Sequence, residues 1–402
     1  MSLLTSLAVI FLSALLLGSL FRKIKLPPLI GMLLVGIVLS PHALNLISQD
    51  ILGISGELRQ FALIIILTRA GLSLKPSELK KVGRPALLLC FLPATFEIIG
   101  YMVFAPLFLG LTVKESALAG AVMGAVSPAV VVPRMLKLKE EGYGTNNSIP
   151  QMITAGASCD DVFVIVLFSA LLAAATEGGF DLNILWQIPV SIITGIFAGV
   201  LCGSAFSAFF KRVKIRDTVK IIIFLSASFL FVALEESIKN YVPFSGLLAV
   251  ISLGVTFNVK SEERAARLSV RYEKLWVFAE IILFVLVGAE VDVSYAVTRF
   301  GSVVAVLFCS LAFRIVGVFA CLIKTPLSFK EKLFCAIAYI PKATVQAAIG
   351  AIPLSAGLSC GNTILTCAVL AILITAPLGA FATDLSYKKL LIKEEPAARG
   401  GE

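Results

Sequence analysis

The sequence has few charged residues and lacks the side-chain patterns on which most enzymes depend. Asp, Glu, Lys and Arg make up only 15% of the 402 residues, and His42 is the single histidine. There is no CxxC pair, no Cys/His cluster, no HExxH motif and no phosphate-binding loop, which argues against metal and nucleotide enzymes. The eight cysteines lie mostly in apolar segments and are interpreted as packing residues. We therefore expect neither an enzyme nor a cofactor.

Hydrophobic residues are correspondingly abundant, at 58% of the chain with a mean hydropathy of +0.99. They are spread over the whole length, which excludes a soluble protein with one membrane anchor. A membrane-spanning helix needs roughly 20 apolar residues, and the sequence predicts an all-α polytopic membrane protein with about thirteen such helices. The predicted spans are 3–21, 28–40, 58–74, 85–110, 115–136, 149–175, 182–210, 218–235, 244–258, 272–289, 300–323, 331–352 and 362–384.

The first apolar segment, 3–21, has no basic residue before it, and Arg22, Lys23 and Lys25 follow it. A cleaved signal peptide has the opposite polarity, so we interpret this segment as a membrane helix that begins outside the cell.

Basic residues alternate along the predicted connections. The odd-numbered connections and the tail contain 26 Lys and Arg residues, whereas the even-numbered ones contain only Lys114, Lys239 and Arg299. Because positive charge marks the cytoplasmic side, the N-terminus is predicted outside and the C-terminus in the cytoplasm. The net charge of +9 therefore reflects topology, and membrane lipids rather than nucleic acid are the expected partners.

An internal repeat relates two blocks of five predicted helices, 28–175 and 244–384. By the charge alternation the two blocks enter the membrane from opposite sides, which is typical of transporters with a binding site near the midplane. The remaining parts are a first helix and basic loop (1–27), linking helices (176–243) and a cytoplasmic tail (385–402). The matched anchors are 61–71 with 278–288 at an offset of 217, Gly31 with Gly246 at 215, and 127–131 with 341–345 at 214.

Two adjacent acids, Asp160 and Asp161, lie in the apolar segment 154–168. A charge at this depth costs about 2.5–3.5 kcal/mol on insertion scales and is usually functional. Buried carboxylates take up protons readily, and their hard oxygens also suit a small hard cation such as Na⁺ or Li⁺. The alternative is that both acids only balance nearby basic residues. A Ca²⁺ or Mg²⁺ site is less favoured, because no further carboxylates cluster in this segment.

Glu97 and Arg314 are a second pair of charges in apolar spans, and they are related by the repeat offset of 217. Residues related by a pseudo-two-fold axis meet only when they lie near that axis. The sequence therefore predicts a buried Glu97–Arg314 ion pair at mid-depth, with a structural role favoured over a direct role in transport.

Lys342 lies in the segment 340–350, which matches 125–133 in the other block. Both segments place a proline inside an apolar span, with Ser127 or Thr344 beside it. Proline interrupts a helix and frees backbone carbonyls, and such breaks at membrane depth line cavities. Lys342 then either changes its protonation state during transport or permanently neutralises the free carbonyls, and Ser127 and Thr344 are candidate cation ligands. A kinked helix without a functional role is the remaining alternative.

These motifs together resemble the sodium/proton antiporter subgroup of the monovalent cation:proton antiporter superfamily that includes the animal NHA exchangers. The motifs are RAGLSL (69–74), PATFEII (93–99), AVSPAVVVP (125–133), GYG (142–144), ASCDDV (157–162), GAEV (288–291) and PKATVQAAIG (341–350).

The resemblance implies an NhaA-like fold in a homodimer, with a dimer domain beside a core domain of two crossed broken helices near 125–133 and 340–356. It also implies that Asp161 binds cation and proton alternately and that Asp160 is its neighbour in the site. Many electrogenic relatives place a lysine where Arg314 stands. Because arginine is not deprotonated in proteins, this departure leaves the exchange stoichiometry open.

We therefore predict a secondary antiporter that exchanges Na⁺ or Li⁺ for H⁺ by alternating access, with both ions competing for the aspartate pair. The expected location is a bacterial inner membrane. The rival functions are a K⁺/H⁺ antiporter, an organic-anion/Na⁺ symporter of related fold, and a channel.

Overall fold

A computed structural model of the chain describes residues 2–74, 83–176, 182–238 and 241–394, with side chains described for all of these except 182–188. The basic loop 75–82 and the tail residues 395–402, which enter the charge count, lie outside the described residues. The described part is helical, with one isolated antiparallel bridge between Tyr143 and Lys393. Its helices are α1 (Leu3–Lys23), α2 (Pro28–Leu39), α3 (Gln49–Gly53), α4 (Ser55–Ser73), α5 (Arg84–Leu89), α6 (Leu92–Leu109), α7 (Val113–Met123), α8 (Pro128–Glu141), α9 (Ile149–Thr176), α10 (Leu182–Arg212), α11 (Asp217–Ile238), α12 (Gly246–Lys260), α13 (Glu262–Ala289), α14 (Val293–Cys321), α15 (Phe329–Ala338), α16 (Thr344–Ile349), α17 (Ile352–Ser355) and α18 (Gly361–Leu390).

Among the described residues, eight helical segments are long and apolar enough to cross a membrane. They are Leu3–Lys23, Arg84–Leu109, Val113–Glu141, Ile149–Thr176, Pro189–Arg212, Asp217–Ile238, Val293–Cys321 and Gly361–Leu390. The chain is therefore an all-α polytopic membrane protein.

The other five predicted spans coincide with helices that do not meet this criterion, so the count of thirteen stays a prediction. The predicted span 58–74 corresponds to α4, which contains the charged residues Glu57, Arg59 and Arg69. The predicted spans 28–40 and 244–258 correspond to the short helices α2 and α12, and 331–352 is divided among α15, α16 and α17. The predicted span 272–289 is the second part of α13, which begins earlier, at Glu262. The first turns of α13 are rich in charged residues, so hydropathy does not detect them. Hydropathy marks only the apolar part of such a helix.

Paired glycines allow the backbones of two helix pairs, α2 with α13 and α4 with α12, to approach closely. Gly36 of α2 packs on Gly288 of α13, and Gly71 of α4 packs on Gly254 of α12. A Cβ atom on Gly36 would lie 2.0 Å from the carbonyl oxygen of Val285. Small residues are the usual means of close helix packing in membranes, where no hydrophobic effect drives helices together.

Replacing Gly36 by Ala is therefore expected to lower the melting temperature of the detergent-purified protein, because α2 and α13 must separate to admit the methyl group. Gly301→Ala in α14 is the matched control, since a Cβ at Gly301 meets no atom within 4 Å. The control should be neutral or slightly stabilising. Equal melting temperatures for the two variants would contradict this packing.

Helices α6 and α14 pack closely against each other in the centre of the protein. A Cβ atom on Gly100 would lie 2.9 Å from the Cα atom of Ser310, and one on Gly317 would lie 3.0 Å from the Cα atom of Pro93. These two contacts are equivalent at the repeat offset of 217, because Gly100 aligns with Gly317 and Pro93 with Ser310. The close approach brings Glu97 and Arg314, which lie between the two contacts, into the buried centre.

Candidate ion-binding site

Two helices are interrupted in the middle of the protein, and the interruptions meet. The first break, 124–127, separates α7 from α8, and the second, 339–343, separates α15 from α16. The backbone N–H of Ser127 donates a hydrogen bond to the carbonyl of Pro341 at 2.8 Å, so the breaks are joined directly. Both breaks lie at or next to the segments in which the sequence predicts them.

The first halves of both broken helices begin in the same way, with a capping box. The Thr112 hydroxyl accepts from the backbone N–H of Glu115, whose carboxylate accepts in return from the backbone N–H of Thr112. Ser328 and Glu331 repeat this arrangement at α15. Each box satisfies otherwise unpaired N–H groups and fixes where the helix begins.

The end of α7 is capped by side chains from other parts of the core. A helix leaves its last four carbonyl groups without intrahelical partners. Here the carbonyls of 122 and 123 at the end of α7, and those of 124 and 125 in the first break, accept hydrogen bonds from Gln346, Lys342 or Arg314. Two of these donors are cations, which also offset the negative end of the helix dipole. The bonds run from Gln346 Nε2 to Val122 O (3.2 Å) and Ala125 O (3.0 Å), from Lys342 Nζ to Met123 O (2.5 Å), and from Arg314 Nη1 to Gly124 O.

A chain of buried ion pairs links the same side chains. Arg314 Nη1 lies 2.8 Å from Glu97 Oε2, and Arg314 Nη2 lies 3.0 Å from Asp160 Oδ2. Lys342 Nζ also lies 2.8 Å from Glu97 Oε2. The side chains of these four residues are at most 1% exposed. The guanidinium completes its contacts by donating from Nε to the carbonyl of Tyr339 at 2.7 Å.

The contact between Glu97 and Arg314 is the one that the repeat offset predicts. The other two ion pairs are not apparent from the sequence, because Asp160 and Lys342 have no charged equivalents in the opposite repeat. They arise only because α9 and the second break pack on either side of Arg314 and Glu97.

Asp160 is held by two donors on one of its oxygens. Its Oδ2 atom accepts from the backbone N–H of Val126 in the first break at 2.8 Å, and from Arg314. Its Oδ1 atom is buried and accepts no hydrogen bond from the described residues. The carboxylate is therefore fixed in orientation with one oxygen left for another ligand.

Asp161 has a different environment from that of its neighbour. It is 7% exposed, and its Oδ1 atom is buried without a hydrogen-bond partner among the described residues. Adjacent side chains on a helix point about 100° apart, which explains why Arg314 reaches Asp160 and forms no ion pair with Asp161. Within the described part of the chain, Asp161 is a buried acid that forms no ion pair.

Ser127 is the last residue of the first break, directly before α8, and Thr344 directly follows the second break as the first residue of α16. Both hydroxyl oxygens are buried and lack hydrogen-bond partners among the described residues. Buried polar atoms are almost always satisfied, so unpaired oxygens at these breaks fit a site for a small cation.

Gln346 is a site residue that sequence reasoning missed. It is fully buried and donates to three carbonyls at the end of α7 and in the first break. The available signal was an amide side chain within the apolar segment 340–350, but a neutral residue lacks the large insertion cost that draws attention to a charge.

Comparisons with known proteins agree with this architecture. The family described as "Sodium/hydrogen exchanger, transmembrane" matches residues 9–384. Sodium/hydrogen exchanger 9B2 of Mus musculus is 33% identical over 400 residues, which cover 94% of this chain and 72% of that protein. Sodium/hydrogen exchanger 9B1 of Homo sapiens is 33% identical over 405 residues, which cover 96% of this chain and 78% of that protein.

Among solved structures, the sodium proton antiporter MjNhaP1 of Methanocaldococcus jannaschii matches with a TM-score of 0.83. The match covers 97% of this chain and 99% of that chain at 22% sequence identity, so the fold is NhaP1-like. These exchangers are transporters rather than enzymes. Since the family match spans nearly the whole membrane region and the relatives align over most of their length, the chain belongs to the sodium/hydrogen exchanger family of integral membrane proteins.

Proposed function

We propose that this protein exchanges Na⁺, or Li⁺, for H⁺ across a membrane, with both ions competing for the site formed by Asp161 and Asp160. The observation that carries the proposal is that two adjacent buried acids each keep a carboxylate oxygen without a protein partner among the described residues, beside two helix breaks. Family membership and the names of the relatives support the same ions.

The charge balance of the site gives competition a physical basis. Counted as ionised, Glu97, Asp160 and Asp161 carry three negative charges, against two positive charges on Arg314 and Lys342. The excess is one negative charge in a buried site. One Na⁺ or one proton neutralises it, and only a neutralised site can pass an apolar barrier at low cost.

Ser127 and Thr344 complete the proposed cation site as neutral oxygen ligands. Carboxylate, hydroxyl and carbonyl oxygens are the hard ligands that hard cations prefer. Both hydroxyls are buried at the breaks without other partners in the described residues. In this proposal Glu97 and Arg314 are a structural ion pair that holds Asp160 in place.

Transport is proposed to proceed by alternating access, with a core domain moving against a dimer domain. Inverted repeats at 28–175 and 244–384, joined by the linking helices 176–243, would supply both domains. The paired contacts of α6 and α14, the two capping boxes and the contact of Ser127 with Pro341 are all repeat-equivalent, which supports this symmetry. The first helix (1–27) and the tail (385–402) lie outside the repeats.

We further infer thirteen membrane crossings, an outer N-terminus, a cytoplasmic C-terminus and a homodimer. The orientation depends on the alternation of basic residues. The NHA subgroup and the NhaA-like details of the fold are retained as proposals, because the similarity to MjNhaP1, at 22% identity, supports the fold alone. The exchangers of Mus musculus and Homo sapiens lend no support to a bacterial inner membrane.

The direct test is cation-dependent proton flux in proteoliposomes across a series of alkali salts. Dissipation of a preset ΔpH by Na⁺ and Li⁺, saturating with concentration, is the expected result. A response to K⁺ alone would favour a K⁺/H⁺ antiporter, and uptake of an organic anion with Na⁺ would favour a symporter. A flux that does not saturate would indicate a channel instead.

Lys342→Ala is expected to lower the exchange rate or to shift its pH optimum. The substitution removes a donor from the Met123 carbonyl and a counter-charge from Glu97, both of which are buried. The measurement is initial exchange rate against pH in proteoliposomes. A profile that coincides with that of the wild type would exclude a role for Lys342 in transport.

A further inference from the structure

The peptide group between Ala125 and Val126 lies between two site side chains. Its carbonyl oxygen accepts from Gln346 Nε2 at 3.0 Å, and its N–H donates to Asp160 Oδ2 at 2.8 Å. The structure contains no cis peptide bond among its described residues, and in a trans peptide the C=O and N–H groups point in opposite directions. The peptide therefore spans the gap between Gln346 on α16 and Asp160 on α9.

This peptide belongs to the break at 124–127 and is not held by helical hydrogen bonds. Its orientation depends on the groups at its two ends, and Gln346 also fixes the preceding turn through Val122 O at 3.2 Å. Hydrogen bonds in series polarise one another, so a donor on the carbonyl strengthens the N–H bond to the carboxylate.

We propose that Gln346 is a positioning residue for cation binding, which acts through the Ala125–Val126 peptide to hold the Asp160 carboxylate in its binding orientation. With Oδ2 held by the peptide N–H and by Arg314, the Oδ1 atom of Asp160 is directed away from its protein donors. Without Gln346 the peptide can rotate, and Asp160 loses a donor that fixes the orientation of its carboxylate. The oxygen that would face the cation is then no longer held in place, and cation binding weakens.

This proposal depends on the proposed function, because it concerns the affinity of the same aspartate pair. It predicts a specific kinetic pattern. Binding weakens, whereas the movement that carries the loaded site across the membrane is unaffected. Within the described part of the chain the Gln346 amide donates only to the carbonyls of Val122, Met123 and Ala125, which belong to the same site.

The test uses Gln346→Met, which removes the amide but keeps the length of the side chain. At fixed pH the KM for Na⁺ should rise about tenfold, as expected for loss of a hydrogen bond that supports a charged group. The maximal rate at saturating Na⁺ should stay within about twofold of the wild type. Gln346→Asn keeps an amide that is too short to reach all three carbonyls, and should give a smaller shift in the same direction.

Thr68→Val is the matched control, because Thr68 is also fully buried but its hydroxyl contacts no residue of either break. Its hydroxyl donates to Ile64 O on its own helix and lies 3.5 Å from the Ser228 hydroxyl. The KM of this control should equal that of the wild type.

An unchanged KM for Gln346→Met, or a lower maximal rate with an unchanged KM, would overturn the positioning role. If Gln346→Met does not fold, the KM of Gln346→Asn decides by the same criterion. If the wild type itself exchanges no Na⁺ for H⁺, the proposed function fails, which is a separate result.

Discussion

Replacing Asp161 by Asn is expected to abolish Na⁺-dependent dissipation of ΔpH, down to the background of protein-free liposomes. The amide can neither bind and release the proton nor contribute the negative charge that attracts Na⁺. Because Asp161 forms no ion pair within the described residues, this loss should come without loss of folding. A neutral amide is in fact easier to bury than a carboxylate.

The measurement is proton flux in vesicles, together with the melting temperature of the purified variant. Asp50→Asn is the control, since Asp50 is an exposed aspartate on α3, and it should exchange normally. Asp161→Glu retains the carboxylate and should recover part of the activity. Unchanged exchange by Asp161→Asn would refute the assignment of this residue.

Replacing Arg314 by Met is expected to have the largest effect on stability. The substitution removes the side-chain donor of the Gly124 and Tyr339 carbonyls. It also removes one of two donors from each of the buried carboxylates of Glu97 and Asp160, and with it the ion-pair partner of Asp160. Breaking one buried ion pair by removal of a single partner typically costs about 3–5 kcal/mol. We therefore expect a marked fall in melting temperature and in the yield of folded protein.

Arg134→Met is the comparison, because Arg134 pairs with the half-exposed Asp384 at 3.3 Å and should matter far less. Adding Asp160→Asn to Arg314→Met should restore part of the stability, since Asp160 is the carboxylate that loses its ion-pair partner, whereas Glu97 still pairs with Lys342. A melting temperature for Arg314→Met that equals that of the wild type would contradict this network of buried ion pairs.

The sequence predicts one contact of the site from the repeat offset of 217. Glu97 and Arg314, which are 217 residues apart, form an ion pair at the α6–α14 contact. The positions of the helix breaks also follow from the sequence, because proline and glycine interrupt an otherwise continuous apolar helix.

Contacts that depend on how the two breaks pack together could not be predicted. Lys342 aligns with Pro128 or Ala129 in the opposite repeat, so symmetry offers no charged partner for it, yet it reaches Glu97. Arg314 likewise bonds to Asp160 through a geometry that no sequence offset encodes. These contacts place the predicted structural pair next to the proposed ion site, so Arg314 links the two.

The proposal that Na⁺ and H⁺ compete for one site is tested most directly by the dependence of Na⁺ affinity on pH. Uptake of radiolabelled Na⁺ into proteoliposomes should be measured over a range of external pH, with the internal pH held constant. If one proton and one Na⁺ occupy the same site, the KM for Na⁺ rises about tenfold for each unit that the pH falls in the acidic range, with no change in maximal rate. A KM that is independent of pH, with the maximal rate carrying the whole pH effect, would contradict a shared site.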